Sequence, residues 1–223
     1  MKKKIGAITI GQSPRNDVIP EIKAVVGNNI EILEAGALDG LTKDEIDRFI
    51  IEKDDYILVS KLRDGSSVKF AERNILKRLQ KCIYELEDNG AEIIVFICTG
   101  CFPDVFKSSK LLIYPQKILH SVVPKISNNK IGVFTPVKDQ IKQCYEKWSE
   151  SGKHIEVVSA SPYSDIDKIR EAAFSMKEKD VDIIVMDCIG YNMKMKVMVR
   201  EITGKPVILP RTLVGRIVAE MFD

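Results

Sequence analysis

The chain has 223 residues, of which 45% are hydrophobic and 30% charged, enough for one large α/β domain or two smaller ones. Its 34 basic residues nearly balance its 32 acidic ones, so bulk charge favours neither nucleic acid nor an anionic membrane as a partner. No apolar stretch approaches the length of a membrane span, and the five cysteines do not suggest a disulfide framework. We therefore expect a soluble cytoplasmic protein.

The first predicted strand, Ile5–Ile10, leads directly into a segment with the features of a helix start. Ser13 is a typical N-cap and Pro14 suits the first helical position, which predicts a helix running to about Val26. The N–H groups of its first turn, with Arg15 beside them, would form an anion site. The alternative is a capped helix start with a solvated arginine.

The next elements are a strand and a short helix. Residues Ile30–Glu34 form an apolar run typical of a strand. Thr42 and Glu45 have the spacing of a capping box, which predicts a helix ending near Glu52.

A hairpin and a long helix follow. The segment Tyr56–Phe70 reads as two strands around Asp64-Gly65, a common turn pair. The apolar spacing of Ala71–Asn89 predicts a helix with one buried face, and Gly90 ends it.

The apolar run Ile93–Ile97 stops abruptly at Cys98-Thr99-Gly100-Cys101. Its β-branched residues predict a strand buried on both faces, as in a parallel sheet covered by helices. Ligands of such sheets bind outside the carboxyl ends of the strands, so these side chains lie at the expected position of a site.

The second half is predicted to continue the same alternation. Leu111–Ile113 is a short strand, and Pro115 opens a helix in which His120 is expected to be structural rather than catalytic. Further strands are predicted at 130–135, 156–158, before Cys188 and at 206–209, and further helices at 136–148, 164–179, 193–202 and 211–221.

The two halves repeat each other. Lys4–Thr9 reappears as Lys130–Thr135, at an offset of 126 residues. The strand before Cys98 reappears before Cys188, at an offset of 90. The difference of 36 residues lies in the first half, where the segment 41–70 has the right size for an insertion.

The repeat predicts an α/β fold with two pseudo-symmetric units, each with a parallel four-stranded sheet, and a β-hairpin insertion at about 55–70 in the first unit. We expect the first unit to cover 1–125, the second 126–209, and the helix 210–223 to pack back on the first. An active site between the units would place Cys98 and Cys188 across a cleft from each other.

Two cysteines on opposite sides of one small molecule suit a two-base reaction. One thiolate removes a proton from the carbon next to a carboxylate, and the other thiol donates a proton from the far side. Each thiolate needs an environment rich in positive charge or N–H groups, which helix N-termini after the strands would supply.

Two segments carry a family resemblance: Thr-Ile-Gly-Gln-Ser-Pro-Arg-Asn-Asp at 9–17 and Asp-Cys-Ile-Gly at 187–190. The chain resembles the AroM family, within the superfamily of aspartate/glutamate and hydantoin racemases, over essentially its whole length. The resemblance implies a racemase-like fold with a site at the two cysteines, and it brings no settled reaction. Amino-acid racemases typically have Asn-Thr after the first cysteine, where this chain has Thr99-Gly100.

Three other functions remain open at this point. Cys98 and Cys101 form a Cys-x-x-Cys pair, which suggests thiol redox chemistry or, with Cys188, part of a metal site. A module that binds a small carboxylate without turning it over would not need reactive thiols. A decarboxylase or isomerase of the superfamily would need one cysteine.

We predict a cofactor-independent and metal-free racemase or isomerase of a small carboxylate, with Cys98 and Cys188 as catalytic residues. A homodimer is the candidate oligomeric state. The residues predicted to bind the substrate are Thr9, Ser13, Arg15, Thr99, Gly100, Thr135 and Gly190. Four further candidates are Cys101, Asp187, Arg63 beside the turn of a lid-like hairpin, and Arg211. For both arginines the alternative is a surface position.

Overall fold

The computed structural model describes residues 2–222, which divide into two compact units. The first comprises 2–115 and 215–222, and the second comprises 116–214. Each unit is built around one four-stranded parallel sheet. Among the described residues, none of the helices has the length and apolar character that crossing a membrane requires.

In the first unit, the sheet order is β2-β1-β5-β6. Its strands are β1 (Lys3–Thr9), β2 (Ile30–Gly36), β5 (Ile93–Ile97) and β6 (Leu111–Ile113), and the hairpin strands are β3 (Ile57–Lys61) and β4 (Ser67–Ala71). The helices are α1 (Ile19–Val26), α2 (Lys43–Asp47) and α3 (Leu76–Asp88).

In the second unit, the sheet order is β10-β9-β7-β8. Its strands are β7 (Lys130–Thr135), β8 (His154–Ser159), β9 (Ile183–Met186) and β10 (Val207–Ile208). The remaining helices are α4 (Pro115–Ile126), α5 (Ile141–Ser149), α6 (Ile166–Lys177), α7 (Met193–Thr203) and α8 (Pro210–Glu220).

The two sheets have the same topology. Read from the other edge, the second sheet runs β8-β7-β9-β10, which matches β2-β1-β5-β6 strand for strand. The inner strands β5 and β9 are fully buried, as expected for strands covered on both faces. The predicted fold of two α/β units with parallel four-stranded sheets is therefore confirmed.

The start of α1 differs from the prediction. The helix begins at Ile19, so Ser13 is not its N-cap. Instead, the N–H of Ser13 donates to the carboxylate of Asp39, and the N–H of Arg15 donates to that of Glu34. These side chains lie on and just after β2, and they satisfy the backbone of the segment without a helical turn. The predicted anion site at a helix N-terminus starting at Ser13 is accordingly wrong.

The predicted hairpin and the short helix are both present. The capping box of Thr42 and Glu45 opens α2, which ends at Asp47, before the predicted boundary. The hairpin connection runs from Leu62 to Ser66 and is longer than a two-residue turn.

One face of the hairpin belongs to the core of the first unit. Leu58 and Phe70 on this face are almost fully buried. The backbone of the hairpin also approaches Gly11 closely, since a Cβ there would lie 2.7 Å from the carbonyl oxygen of Lys61. The hairpin is thus a packed part of the first unit.

Candidate functional site

The two cysteines occupy equivalent positions in the two units. Thr9, the last residue of β1, pairs with Ile97, the last residue of β5. Cys98 comes directly after Ile97 in the chain. In the second unit, Phe134 lies opposite Met186, so that Thr135 and Cys188 repeat the same offset. Each unit therefore places a threonine hydroxyl and a thiol together at the carboxyl edge of its sheet.

The local geometry of the two thiols is also the same. The N–H of Gly100 donates to Sγ of Cys98 at 3.2 Å, and the N–H of Gly190 donates to Sγ of Cys188 at 3.4 Å. A donor directed at sulfur favours the thiolate over the thiol. Both cysteines are mostly buried, with 8% of their surface exposed. The repeated Cys-x-Gly pattern thus builds two similar thiol sites.

In the first unit, the hairpin covers the loop that carries Cys98. The hydroxyl of Tyr56 accepts a hydrogen bond from the N–H of Cys101 at 3.2 Å. The side chain of Leu58 packs on Gly100, where a Cβ would lie 2.7 Å from Leu58 Cδ2. Neither Tyr56 nor Leu58 was identified from the sequence, because their alternation is that of any half-buried strand.

Arg15 is buried and pairs with its own loop. Its guanidinium donates to both carboxylate oxygens of Asp17, at 2.8 and 2.9 Å, and to Oγ1 of Thr9 at 3.1 Å. Burial of Asp17 disfavours its charge, but the hydrogen bond and charge of Arg15 outweigh this effect and hold the pKa of Asp17 below its usual value. Arg15 and Asp17 therefore form an ion pair, and the same guanidinium holds the hydroxyl of Thr9.

A second carboxylate connects this loop to the hairpin. Asp39 accepts hydrogen bonds from the hydroxyl of Ser13 at 2.5 Å, the N–H of Gly36 at 2.8 Å and Nη2 of Arg63 at 2.8 Å. Nε of Arg63 also donates to the carbonyl oxygen of Ser13. Ser13 and Arg63 thus hold the hairpin against the loop after β1.

Arg211 is fully buried, so its interpretation as a surface arginine is wrong. Its Nε donates to the carbonyl oxygen of Ile189 at 3.0 Å, and its Nη2 donates to that of Gly190 at 2.8 Å. Tyr163 packs over the same loop, where a Cβ on Gly190 would lie 2.5 Å from its hydroxyl oxygen. Arg211 therefore fixes the backbone that surrounds Cys188.

Asp187, which precedes Cys188, lies in a buried polar cluster. Its carboxylate contacts Nζ of Lys147 at 2.5 Å and accepts a hydrogen bond from Nε1 of Trp148 at 2.8 Å. The ring of His120 lies against that of Trp148, with centroids 4.1 Å apart. Burial and, second, the charge of Lys147 lower the pKa of His120 to about 4, so that the ring is neutral near pH 7.

The remaining predicted residues lie at or near the two cysteines. Thr99 and Thr135 are buried, and Oγ1 of Thr135 lies 3.4 Å from Oε1 of Gln140. Burial raises the pKa of Cys82 to about 11 and that of Cys144 to about 12, so both thiols stay protonated near pH 7. Among residues 2–222, no three His, Cys, Asp or Glu side chains are grouped closely enough to hold a metal ion.

Sequence reasoning also missed Glu72, which follows β4 at the base of the hairpin. Its Oε1 is buried and has no hydrogen-bond partner. Burial raises the pKa of Glu72 to about 7. The only sequence signal is its place at the end of a predicted strand, which does not distinguish it from the other glutamates.

We expect Glu72→Gln to remove a pH dependence from folding stability. The pKa of Glu72 is about 7 in the fold and near 4.5 in the unfolded chain, so the wild type loses stability as pH rises from 5 to 8. The unfolding free energy of the variant, relative to that of the wild type, should rise by about 1–2 kcal/mol when the pH goes from 5 to 8. This value allows for screening by solvent. Urea denaturation at both pH values measures the difference.

The matched control is Glu31→Gln, which changes an exposed carboxylate on β2. Its difference from the wild type should be the same at pH 5 and pH 8. An equally constant difference for Glu72→Gln would contradict the raised pKa.

Three solved structures illustrate what this fold is similar to. Aspartate racemase from Picrophilus torridus is 13% identical, with a TM-score of 0.65, and the match covers 98% of this chain and 94% of that one. Allantoin racemase from Klebsiella pneumoniae is 15% identical, with a TM-score of 0.62 and coverage of 99% and 87%. Maleate isomerase from Pseudomonas putida S16 is 15% identical, with a TM-score of 0.62 and coverage of 95% and 89%.

At these identities the likeness shows the fold alone. No curated protein matches the chain in sequence. The AroM protein family matches residues 5–222, which is nearly the whole chain. The chain therefore belongs to the AroM family.

Proposed function

We infer that this AroM family protein is a cofactor-independent racemase or isomerase of a small carboxylate, with Cys98 and Cys188 as its acid and base. The observation that carries the proposal is the repeated thiol site. Each cysteine follows an inner strand of its sheet, and each sulfur accepts an N–H from the glycine two residues later. The similar folds of two racemases and of maleate isomerase support the same class of reaction.

In the proposed racemisation, the thiolate of one cysteine removes the proton from the carbon next to the substrate carboxylate. The resulting carbanion is stabilised by delocalisation into the carboxylate. The thiol of the other cysteine then donates its proton to the opposite face of the carbon, which inverts it. One cysteine ends the turnover protonated and the other ends it as a thiolate, so atoms and charge balance.

The substrate carboxylate is assigned to the hydroxyls of Thr9, Thr99 and Thr135 and to the backbone around Gly100 and Gly190. These groups lie at or next to the strand ends that carry the thiols. Ser13, Arg15, Arg63 and Arg211 have partners in the surrounding loops, and we assign them the role of holding these loops in place.

The test is exchange of the α-proton for deuterium in D2O, followed by NMR with a panel of amino acids, hydantoins and substituted malonates. We expect Cys98→Ser and Cys188→Ser each to reduce exchange by at least about 100-fold, since each removes one proton-transfer group. Cys101→Ser is the matched control, because it removes a neighbouring thiol that the mechanism does not use.

The other outcomes separate the alternatives. Exchange that survives Cys98→Ser points to a one-thiol isomerase or decarboxylase. Loss of exchange in Cys101→Ser contradicts the assignment of Cys98 and Cys188 alone. Absence of exchange, with ligand-induced stabilisation that survives both substitutions, identifies a module that binds a carboxylate without turning it over.

A further inference from the structure

A tyrosine hydroxyl lies against the Cys-x-Gly loop of each unit. In the first unit, Oη of Tyr56 accepts the N–H of Cys101 at 3.2 Å, and the Tyr56 ring lies 3.6 Å from the position of a Cβ on Gly100. In the second unit, a Cβ on Gly190 would lie 2.5 Å from Oη of Tyr163. Since a carbon–carbon single bond is about 1.5 Å long, this oxygen lies within about 4 Å of the Cα atom of Gly190. Both hydroxyls are therefore next to the backbone that directs an N–H at a thiol.

The repeat of the two units does not account for this pair of tyrosines. Tyr56 is the residue before the hairpin strand β3, and no such hairpin is present among residues 116–214 of the second unit. Tyr163 lies in the connection between β8 and α6. Two unrelated elements thus bring the same chemical group to equivalent places. This favours a use for the hydroxyl itself over descent from one duplicated loop.

Burial distinguishes these two tyrosines from Tyr191, which lies just beyond the loop of Cys188. Tyr191 is fully buried, and its hydroxyl donates to the carbonyl oxygen of Ala160 at 2.6 Å, so its proton serves the fold. Tyr56 and Tyr163 are only half-buried. Part of each side chain faces solvent, as a group that binds a ligand requires.

A phenol hydroxyl suits the charge that the proposed reaction develops. Removal of the α-proton moves negative charge onto the oxygens of the substrate carboxylate, and hydrogen-bond donors placed there stabilise it. Tyrosine donates such a bond without adding a cation that would pair with the thiolate. The bond that Tyr56 accepts from Cys101 also polarises its hydroxyl, which strengthens the bond that it donates.

We propose that Tyr56 and Tyr163 are further substrate-binding residues, and that each hydroxyl donates a hydrogen bond to a carboxylate oxygen of the substrate beside the thiol loop of its own unit. The proposal rests on the function inferred above for the two thiols. Neither tyrosine transfers a proton. The hydrogen bonds strengthen as the proton leaves the α-carbon, so their loss slows turnover as well as weakening binding.

The experiment replaces each tyrosine with phenylalanine, which removes the hydroxyl and keeps the ring. The control for Tyr56→Phe is Tyr84→Phe on α3, and the control for Tyr163→Phe is Tyr145→Phe on α5. These control tyrosines are 46% and 40% exposed. Turnover is measured as α-proton exchange in D2O with the compound of the panel above that exchanges fastest. Binding is measured by calorimetry with malonate, and the state of each thiol loop by the rate at which iodoacetamide alkylates its cysteine.

We expect each of the two substitutions to lower kcat/KM for exchange by about 10-fold or more, the value of one hydrogen bond to a charged group, and to raise the Kd of malonate by a smaller factor. The control variants should change neither constant. Alkylation of Cys188 should be unchanged in Tyr163→Phe, because the ring still packs over the loop. Tyr56→Phe also removes the acceptor of the Cys101 N–H, so exchange should fall by a larger factor than alkylation of Cys98 changes.

The outcomes distinguish this proposal from the proposed reaction, and each tyrosine is judged by its own variant. Exchange that requires both thiols but is unchanged in the phenylalanine variant overturns the role of that tyrosine and leaves the reaction in place. A loss of exchange matched by an equal change in alkylation also overturns it, because the tyrosine then only holds the loop. If no compound exchanges with the wild type, the proposed reaction fails and malonate binding decides. Weaker binding in the variant than in its control supports the tyrosine, and equal or absent binding overturns it.

Discussion

Lys147→Met should cost the protein about 3–5 kcal/mol of unfolding free energy, because it removes the cation beside a buried carboxylate. Only 9% of the Lys147 side chain and 2% of the Asp187 side chain are exposed, and the two groups are 2.5 Å apart. Water cannot replace the ammonium group at this depth, so the charge of Asp187 is destabilised. Urea denaturation at pH 7 measures the loss.

Lys142→Met is the matched control on the same helix. Lys142 is 88% exposed, and its ion pair with Glu146 at 3.6 Å is screened by solvent, so a change below about 0.5 kcal/mol is expected. Adding Asp187→Asn to Lys147→Met should restore much of the stability, because it removes the unpaired charge and keeps an acceptor for Trp148. An equal loss in the single and double variants would contradict this explanation.

The sequence predicted the fold well, because the signals for it are local or repeated. The run Ile93–Ile97 is apolar enough to identify a strand buried on both faces, and the structure has that strand at the same residues. The repeat of Lys4–Thr9 at Lys130–Thr135 predicted a second unit with its own parallel sheet, and the structure adds that both sheets have the same strand order. The equivalent places of Cys98 and Cys188 follow from this repeat.

The loop after β1 could not be predicted, because its conformation depends on residues distant in the chain. Ser13 and Pro14 have a strong local preference for a helix start. The carboxylate of Asp39, 26 residues away, binds the N–H and the hydroxyl of Ser13 and holds the segment in an irregular conformation. A local propensity worth about 1 kcal/mol cannot outweigh several partly buried hydrogen bonds.

Charged residues were the hardest to place for the same reason. Lys147 and Asp187 are 40 residues apart, and neither carries a local sign that the other is its partner. Glu72 lacks such a sign as well, since its raised pKa comes from burial in the folded protein. Sequence periodicity indicates which faces are buried but does not show which charges are paired there.

Arg211→Met should lower the unfolding free energy by about 3–5 kcal/mol and loosen the loop around Cys188. The variant leaves the carbonyl oxygens of Ile189 and Gly190 without these two donors, each worth about 1.5–3 kcal/mol in a hydrogen bond to a charged group. A mobile loop no longer holds the N–H of Gly190 against the sulfur of Cys188. Urea denaturation and the rate of Cys188 alkylation by iodoacetamide measure the two effects.

Arg211→Lys tests whether the forked shape of the guanidinium is needed, and Arg200→Met is the control at an exposed site. Arg211→Lys keeps the charge but cannot donate to both carbonyl oxygens with the same geometry, so it should recover only part of the stability. Arg200→Met changes an exposed arginine near the end of α7 and should stay within about 0.5 kcal/mol of the wild type. Because Cys98 lies in the other unit, its alkylation rate serves as the internal reference. A parallel change at both cysteines would show that Arg211→Met acts through global unfolding and not through the Cys188 loop.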